Sequence, residues 1–236
     1  MVERFTAGIR TRVFSLKYHK VAEVIEKVTQ EHLSYLGMVA LCEIAQVAIC
    51  NERKHLEGAV IEAGCALGGS AIILAAAKSK DRMLLVYDVF DVHPPPSNKN
   101  GSVAHEVCEL IAAGKAQGIG GDLYYGYEKN LYDKVLQSFG RFGLEPEGNN
   151  VYLRKGLFED TLIVQSPVSL AHIDCDWHDS VLTCLNRIEP CLVKGGTLIV
   201  NDHWSGSAKA VQRYFENKDR NDYNFARKTA LYIVKK

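Results

Sequence analysis

The stretch Gly58–Lys78, GAVIEAGCALGGSAIILAAAK, constrains the fold of this chain more than any other. Ala59, Val60 and Ile61 form a short apolar run with a β-branched bias, which reads as a buried strand. Glu62 brings a charge to the strand end, and Gly64, Gly68 and Gly69 turn the chain without Cβ obstruction. Ser70 is expected to cap an Ala/Ile/Leu-rich helix that runs to about Lys80. A strand, a glycine-rich turn and a helix N-terminus in succession bring backbone close to a ligand and aim free N–H groups at it. The glycine spacing is not the GxGxxG of dinucleotide enzymes, and no Lys-Ser/Thr pair of a phosphate-binding loop follows.

At 236 residues, with 47% hydrophobic and 24% charged side chains, the chain suits one globular α/β domain and excludes disordered and fibrous classes. Its 28 basic and 28 acidic side chains balance to a net charge of +0. Bulk charge therefore points neither to nucleic acid nor to a membrane surface. Seven cysteines are scattered without a CxxC, the pattern of reduced thiols in a cytosolic protein. The start, MVERFTAGIR, lacks an apolar signal core, and no apolar stretch is long enough to span a bilayer. The expectation is a soluble cytoplasmic domain.

Residues 1–20 are basic with interleaved aromatics and read as a lid, an oligomer arm or a solvated leader. Helical spacing follows over Val21–His32 and Tyr35–Cys50, with a break near Gly37. These helices precede the first strand and so form a cap or a covering layer of the sheet. A second apolar run, Met83–Tyr87, ends at Asp88, where a carboxylate beyond one β-α-β crossover can accept ribose hydroxyls. The pattern then breaks down over about 91–129, a Pro-, Gly- and Tyr-rich insert with a short helix at His105–Lys115. An irregular insert of this length is a substrate loop or lid, and Tyr124, Tyr125 and Tyr127 either line an acceptor pocket or pack the insert itself. Helix Asn130–Phe142, strands Val151–Gly156 and Val168–Ile173, helix Ser180–Leu192, strand Thr197–Val200, helix Ser207–Asn217 and a terminal hairpin complete an alternating α/β pattern.

Two strand ends carry hard ligands: Asp174-Cys-Asp176-Trp-His178-Asp179 and Asn201-Asp202-His203-Trp204. The C-terminal edges of neighbouring parallel strands face one crevice, so Asp174 and Asp202 can lie close together although they are remote in sequence. Carboxylate and amide oxygens suit a divalent cation such as Mg²⁺, which lowers the pKa of a hydroxyl. Asp179 is expected to cap the helix that follows, and His172 to be a satisfied core histidine. His203 and His178, on the crevice side, are the candidate general bases; His93 and His105 rank behind them.

With these residues in place, the chain resembles the macrocin O-methyltransferase family, which includes mycinamicin and aminocoumarin sugar methyltransferases. The resemblance runs from about Tyr35 to the C-terminus. It is carried by GAVIEAGCALGGSAIILA, YDVFD, LRKGLFEDTL and HIDCDWHDSVLTCLNRIEPCLVKGGTLIVNDHW. It implies the class I, Rossmann-like fold of S-adenosylmethionine (SAM) methyltransferases: a seven-stranded, mostly parallel sheet with a C-terminal antiparallel hairpin and N-terminal cap helices. Residues 1–236 would form one domain, with an arm and cap over 1–56 and the SAM-binding core over 57–236. SAM would lie along Glu62, Gly64, Ala66, Gly68, Gly69 and Ser70, with its ribose on Asp88 and its amine near Glu62 or Asp174. Carried over, the family's metal ligands become Asp174, Asn201 and Asp202. The family's catalytic histidine has no counterpart around Gly121–Tyr127, so the catalytic set is read as Asp174 with His203 or His178 as base. Where the family has Asp-Asp-Tyr this chain has Asn-Asp-His, which removes one charge.

The implied activity is Mg²⁺-assisted methyl transfer from SAM to a hydroxyl of a small metabolite or natural product, in a homo-oligomer. A second reading keeps SAM without the metal and uses a histidine base on an oxygen, carboxyl or nitrogen acceptor. A third is a non-catalytic SAM- or nucleotide-binding protein.

Overall fold

The computed structural model describes residues 2–201 and 205–236. Five strands run parallel: β1 (Ala59–Ala63), β2 (Leu84–Asp88), β3 (Val151–Lys155), β4 (Val168–Ile173) and β5 (Leu192–Val200). The hairpin of β6 (Tyr223–Arg227) and β7 (Leu231–Lys235) adds antiparallel to β5 through β7. The sheet order is β3-β2-β1-β4-β5-β7-β6, with the strand direction reversing only at the hairpin, as expected for the class I methyltransferase fold.

Side-chain alternation sorts the sheet into two faces. Val60, Leu170 and Ile199 join one buried cluster, with α2 (His19–Gln30), α3 (Met38–Arg53), α4 (Gly69–Ala77) and α6 (Leu131–Arg141). Ile61, Ala171 and Leu198 join the other, with α7 (Phe158–Thr161), α8 (His178–Ile188) and α9 (Ser205–Phe215). Both faces are covered by helices, which is why β1, β2 and β4 read as continuous apolar runs rather than alternating ones.

Three local expectations change. The leader contains a 16-residue helix, α1 (Val2–Lys17), whose Phe14 is buried and meets the Tyr18 ring at 5.2 Å. Gly195 and Gly196 do not form a turn ahead of the fifth strand but lie inside β5; Gly195 has φ +78°, and the β4–β5 register shifts there. Glycine tolerates that bulge, so β5 starts at Leu192. Ser70 does not cap α4: Gly68, at φ +89°, precedes the helix and Ser70 lies within its first turn.

Candidate active site

Strand register assembles the site. Beyond the ends of β1, β4 and β5 the ladder continues for one residue: Gly64 N–H donates to the Tyr87 carbonyl (2.8 Å), Asp174 N–H to Ala63 (2.9 Å) and Asn201 N–H to Ile173 (2.9 Å). Gly64, Asp174 and Asn201 are thus brought to one sheet edge. A cavity of ≈ 1080 Å³ opens there, lined by Gly64–Ala66, Ser70, Asp88, His172, Asp174–Trp177 and Asn201. Its opposite wall comes from the α2–α3 loop (Leu33 to Gly37), the insert (His93, Pro94, Tyr124, Tyr125) and the hairpin turn (Thr229, Ala230).

The glycine-rich turn is tightly held. Asp88 accepts N–H bonds from Cys65 (2.7 Å) and Ala66 (3.0 Å) on Oδ2 and from Phe90 (2.8 Å) on Oδ1. The carboxylate expected to meet a ribose therefore also organises the loop, and Asp88 lines the cavity. Gly64 (φ +90°) and Gly68 (φ +89°) make the turn possible. A Cβ on Gly69 would stand 2.4 Å from the Leu33 carbonyl oxygen, which accepts the Gly69 N–H at 2.9 Å. The α2–α3 loop is thereby fastened to the start of α4.

Glu62 lies one layer behind the cavity wall. It is 0% exposed, and β1–β4 register sets it directly opposite His172, whose Nδ1 donates to Glu62 Oε2 at 2.9 Å. Ser70 Oγ donates to Oε1 of the same carboxylate. His172 is the satisfied core histidine expected, yet its ring also reaches the cavity. Burial works against its charged form, but the Glu62 carboxylate outweighs this and raises its pKa.

Asp174 and Asn201 meet directly: Asn201 Nδ2 donates to Asp174 Oδ1 at 2.9 Å. Burial pushes the Asp174 carboxyl up to about 7; His172 opposes this, and Asp176 and Glu62 add to it. Asn201 is 8% exposed, and its Oδ1 is buried without a hydrogen-bond partner among the described residues. A buried amide oxygen left open beside a carboxylate fits a hard cation, which takes oxygen donors of this kind. The third expected ligand, Asp202, and the candidate base His203 lie outside the described residues. Among the described residues, no cluster of three or more His, Cys, Asp or Glu side chains is arranged to hold a metal ion.

His178, the other candidate base, is outside the cavity wall, with its Nδ1 on Asp179 Oδ1 at 2.8 Å. Asp179 does not cap α8. Its carboxylate takes a 2.6 Å bond from Lys99, which holds it down to about 2. The backbone N–H of His178, free at the start of α8, is satisfied instead by Asn100 Oδ1 at 3.0 Å, a cap supplied by the insert. Sequence proximity favoured Asp179 for that role, but tertiary docking of the insert decided it. Trp177 Nε1 donates to the Pro94 carbonyl at 3.0 Å, a second tie between the insert and the Asp174–Trp177 segment. The wall residues Leu33, Tyr35 and Thr229 carried no sequence signal beyond the break near Gly37, because their place depends on how distant loops pack.

Apart from histidines, every charged side chain lining the cavity, among the described residues, is a carboxylate: Asp88, Glu159, Asp174, Asp176 and Asp179. That field favours a cationic ligand.

Residues 33–223 match the family model of the macrocin-O-methyltransferases (TylF). The chain belongs to this family. It is a SAM-dependent O-methyltransferase, and SAM carries the positive charge that the acidic cavity suits. No curated protein matches the chain in sequence. Among solved structures, the O-methyltransferase NovP is similar at TM-score 0.70 and 20% identity, over 86% of this chain and 82% of NovP. The calicheamicin methyltransferase CalS11 is similar at TM-score 0.62 and 14% identity, over 99% of this chain and 92% of CalS11. A putative caffeoyl-CoA O-methyltransferase from Staphylococcus aureus follows at TM-score 0.56 and 16% identity, over 96% of this chain and 99% of that one. At these identities the likeness is one of fold. Among the described residues of this family member, no helix is long and apolar enough to cross a membrane.

Proposed function

We propose that this TylF-family chain methylates a hydroxyl group of a small ring- or sugar-bearing metabolite, with a divalent cation, Mg²⁺, held by Asp174, Asn201 and Asp202. The observation that carries the reading is the open, buried Asn201 Oδ1 beside Asp174 at the cavity. Bound there, a hard cation supplies Lewis acidity that lowers the pKa of a substrate hydroxyl. The protein supplies position. The Gly64–Ser70 turn seats the methyl donor, Asp88 and Glu62 hold that turn and its Ser70–His172 backing, and the aromatic wall excludes water from the acceptor. The O-methyltransferase NovP and the calicheamicin methyltransferase CalS11 share the fold, which favours a small-molecule acceptor. Outward-facing Val13 and Leu16 on α1 favour a homo-oligomer.

Titration calorimetry tests this. The expected outcome is that SAM binds without added metal, that Mg²⁺ then gives a separate binding signal, and that Asp202→Ala abolishes the second signal while sparing the first. SAM binding with no Mg²⁺ signal in the parent protein would transfer the chemistry to a metal-free mechanism.

A further inference from the structure

Of the eight histidines in the chain, seven lie among the described residues, and two of those line the cavity, His93 and His172. His172 is 1% exposed and committed to Glu62. His93 is different. It is half-buried at the start of the insert, and its Nε2 is hydrogen-bonded to the hydroxyl of Tyr125, which also lines the cavity.

The pair is held from three directions. The His93 ring meets the edge of Trp177 at 6.2 Å and 89°, and Trp177 is tied to the Pro94 carbonyl. Tyr125 is 6% exposed, packed on Tyr124 at 4.6 Å and on Tyr35 at 5.8 Å. Pro94, Pro95 and Pro96 directly after His93 fix φ and restrict the backbone that carries the imidazole. The pair thus joins the insert, the Asp174–Trp177 segment and the α2–α3 loop at the cavity wall.

We propose that Tyr125 and His93 form a proton relay for the methyl-accepting hydroxyl, Tyr125 touching the acceptor and His93 holding the proton. The inference rests on the O-methyltransferase reading above and adds a base to it. In the step, the acceptor O–H gives its proton to Tyr125 Oη as the Tyr125 proton passes to His93 Nε2. The acceptor oxygen forms the new O–CH₃ bond while the S–CH₃ bond of SAM breaks and its electron pair stays on sulfur. The positive charge of the donor leaves as a proton on His93, whose partly exposed ring releases it to water. The surroundings favour this division of labour. Burial pushes the Tyr125 phenol well above its ordinary range, with Tyr124, Asp88 and Asp176 adding to the shift. Tyr125 therefore remains a hydroxyl and parts with its proton only as it gains another. The groups facing the pair are Tyr35, Tyr124, Trp177, Asp88 and Asp176.

The test uses His93→Gln and Tyr125→Phe in the full chain, with folding and donor binding monitored by SAM calorimetry. Both variants are expected to bind SAM within about twofold of the parent. Nitrogen-15 spectra of labelled histidines should show His93 Nε2 as an unprotonated, hydrogen-bond-accepting nitrogen at neutral pH, and Tyr125→Phe should shift that signal. With pyrocatechol as the ring-hydroxyl probe, both variants should lose about 10²-fold or more in kcat with KM little changed. His93→Gln should also remove the acidic limb of the pH–rate profile. A protonated Nε2 in the parent protein, or a His93→Gln enzyme with parental kcat and acidic limb, would overturn the relay. If the parent protein binds SAM but does not methylate pyrocatechol, pyrocatechol is ruled out as an acceptor, and the nitrogen-15 result alone decides the pair.

Discussion

Gly64→Ala is expected to cost about 2–4 kcal/mol of stability and at least about 100-fold in SAM affinity, from strain and overpacking combined. A Cβ at residue 64 would stand 2.1 Å from the Asp174 carbonyl oxygen, and residue 64 holds φ at +90°. The obstructing atom is backbone and cannot rotate away. It belongs to a residue whose N–H is bonded to Ala63 at 2.9 Å. Relief therefore requires β1 and β4 to part at the cavity, or the turn to rotate and release the Cys65 and Ala66 N–H groups from Asp88. Both movements damage the proposed donor seat. Gly143→Ala is the control, because Gly143 also has a positive φ (+65°) but nothing lies within 4 Å of an added Cβ. It should cost only about 1–2 kcal/mol, the backbone term alone, and leave SAM binding unchanged. Thermal melts and calorimetry on the two variants check this; a Gly64→Ala protein that binds SAM like the parent would contradict it.

The second large effect is remote from the cavity. Glu189, 2% exposed just after α8, accepts from Tyr214 (2.9 Å) and Lys218 (2.6 Å) on Oε2 and from Tyr223 (2.6 Å) on Oε1. Lys235 lies 3.2 Å from Oε1. One carboxylate thereby ties α9 and both hairpin strands to the end of α8. Glu189→Ala leaves two ammonium groups and two phenols without their acceptor, so the expected loss is about 3–5 kcal/mol. In a domain of this size that lowers Tm by about 10 °C. Burial alone would raise the Glu189 pKa, but the four donors outweigh it and hold the carboxyl down to about 2, against an ordinary 4.5. A depressed carboxylate stabilises the folded state fully above its unfolded pKa. Its contribution of about 3 kcal/mol is therefore lost as pH falls from 4.5 towards 2. Denaturant melts across that window should show the decline in the parent protein and a shallower one in Glu189→Gln. Equal acid sensitivity in both would show that other carboxylates set the acid limit.

Much of the architecture was legible because local rules and tertiary structure agree. The largely apolar runs at Ala59–Ile61, Met83–Tyr87 and Val168–Ile173, the last interrupted by Ser169 and His172, became central parallel strands, since strands buried on both faces carry such near-continuous runs. The acidic strand ends were legible for the same reason: a charged residue that closes a buried strand marks the edge where the strand meets solvent or ligand. Cap assignments were less legible. Ser70 and Asp179 have the right chemistry for capping, but Ser70 is drawn to Glu62 and Asp179 to Lys99, partners 8 and 80 residues away. Propensity weighs only near neighbours, and these side chains found stronger charged partners elsewhere.

The sequence by itself determined the class of the fold, the placing of the glycine-rich turn, and the presence of Asp88, Asp174 and Asn201 at one edge of the sheet. Each follows from periodicity and from the geometry of parallel strands. Only the tertiary structure decided the rest of the cavity. It set Glu62 behind His172, left Asn201 Oδ1 open, and joined His93 of the insert to Tyr125 beside Trp177. Those contacts join segments separated by tens of residues, and they form because irregular loops must satisfy their polar groups against whatever the sheet edge presents. No local pattern encodes that choice.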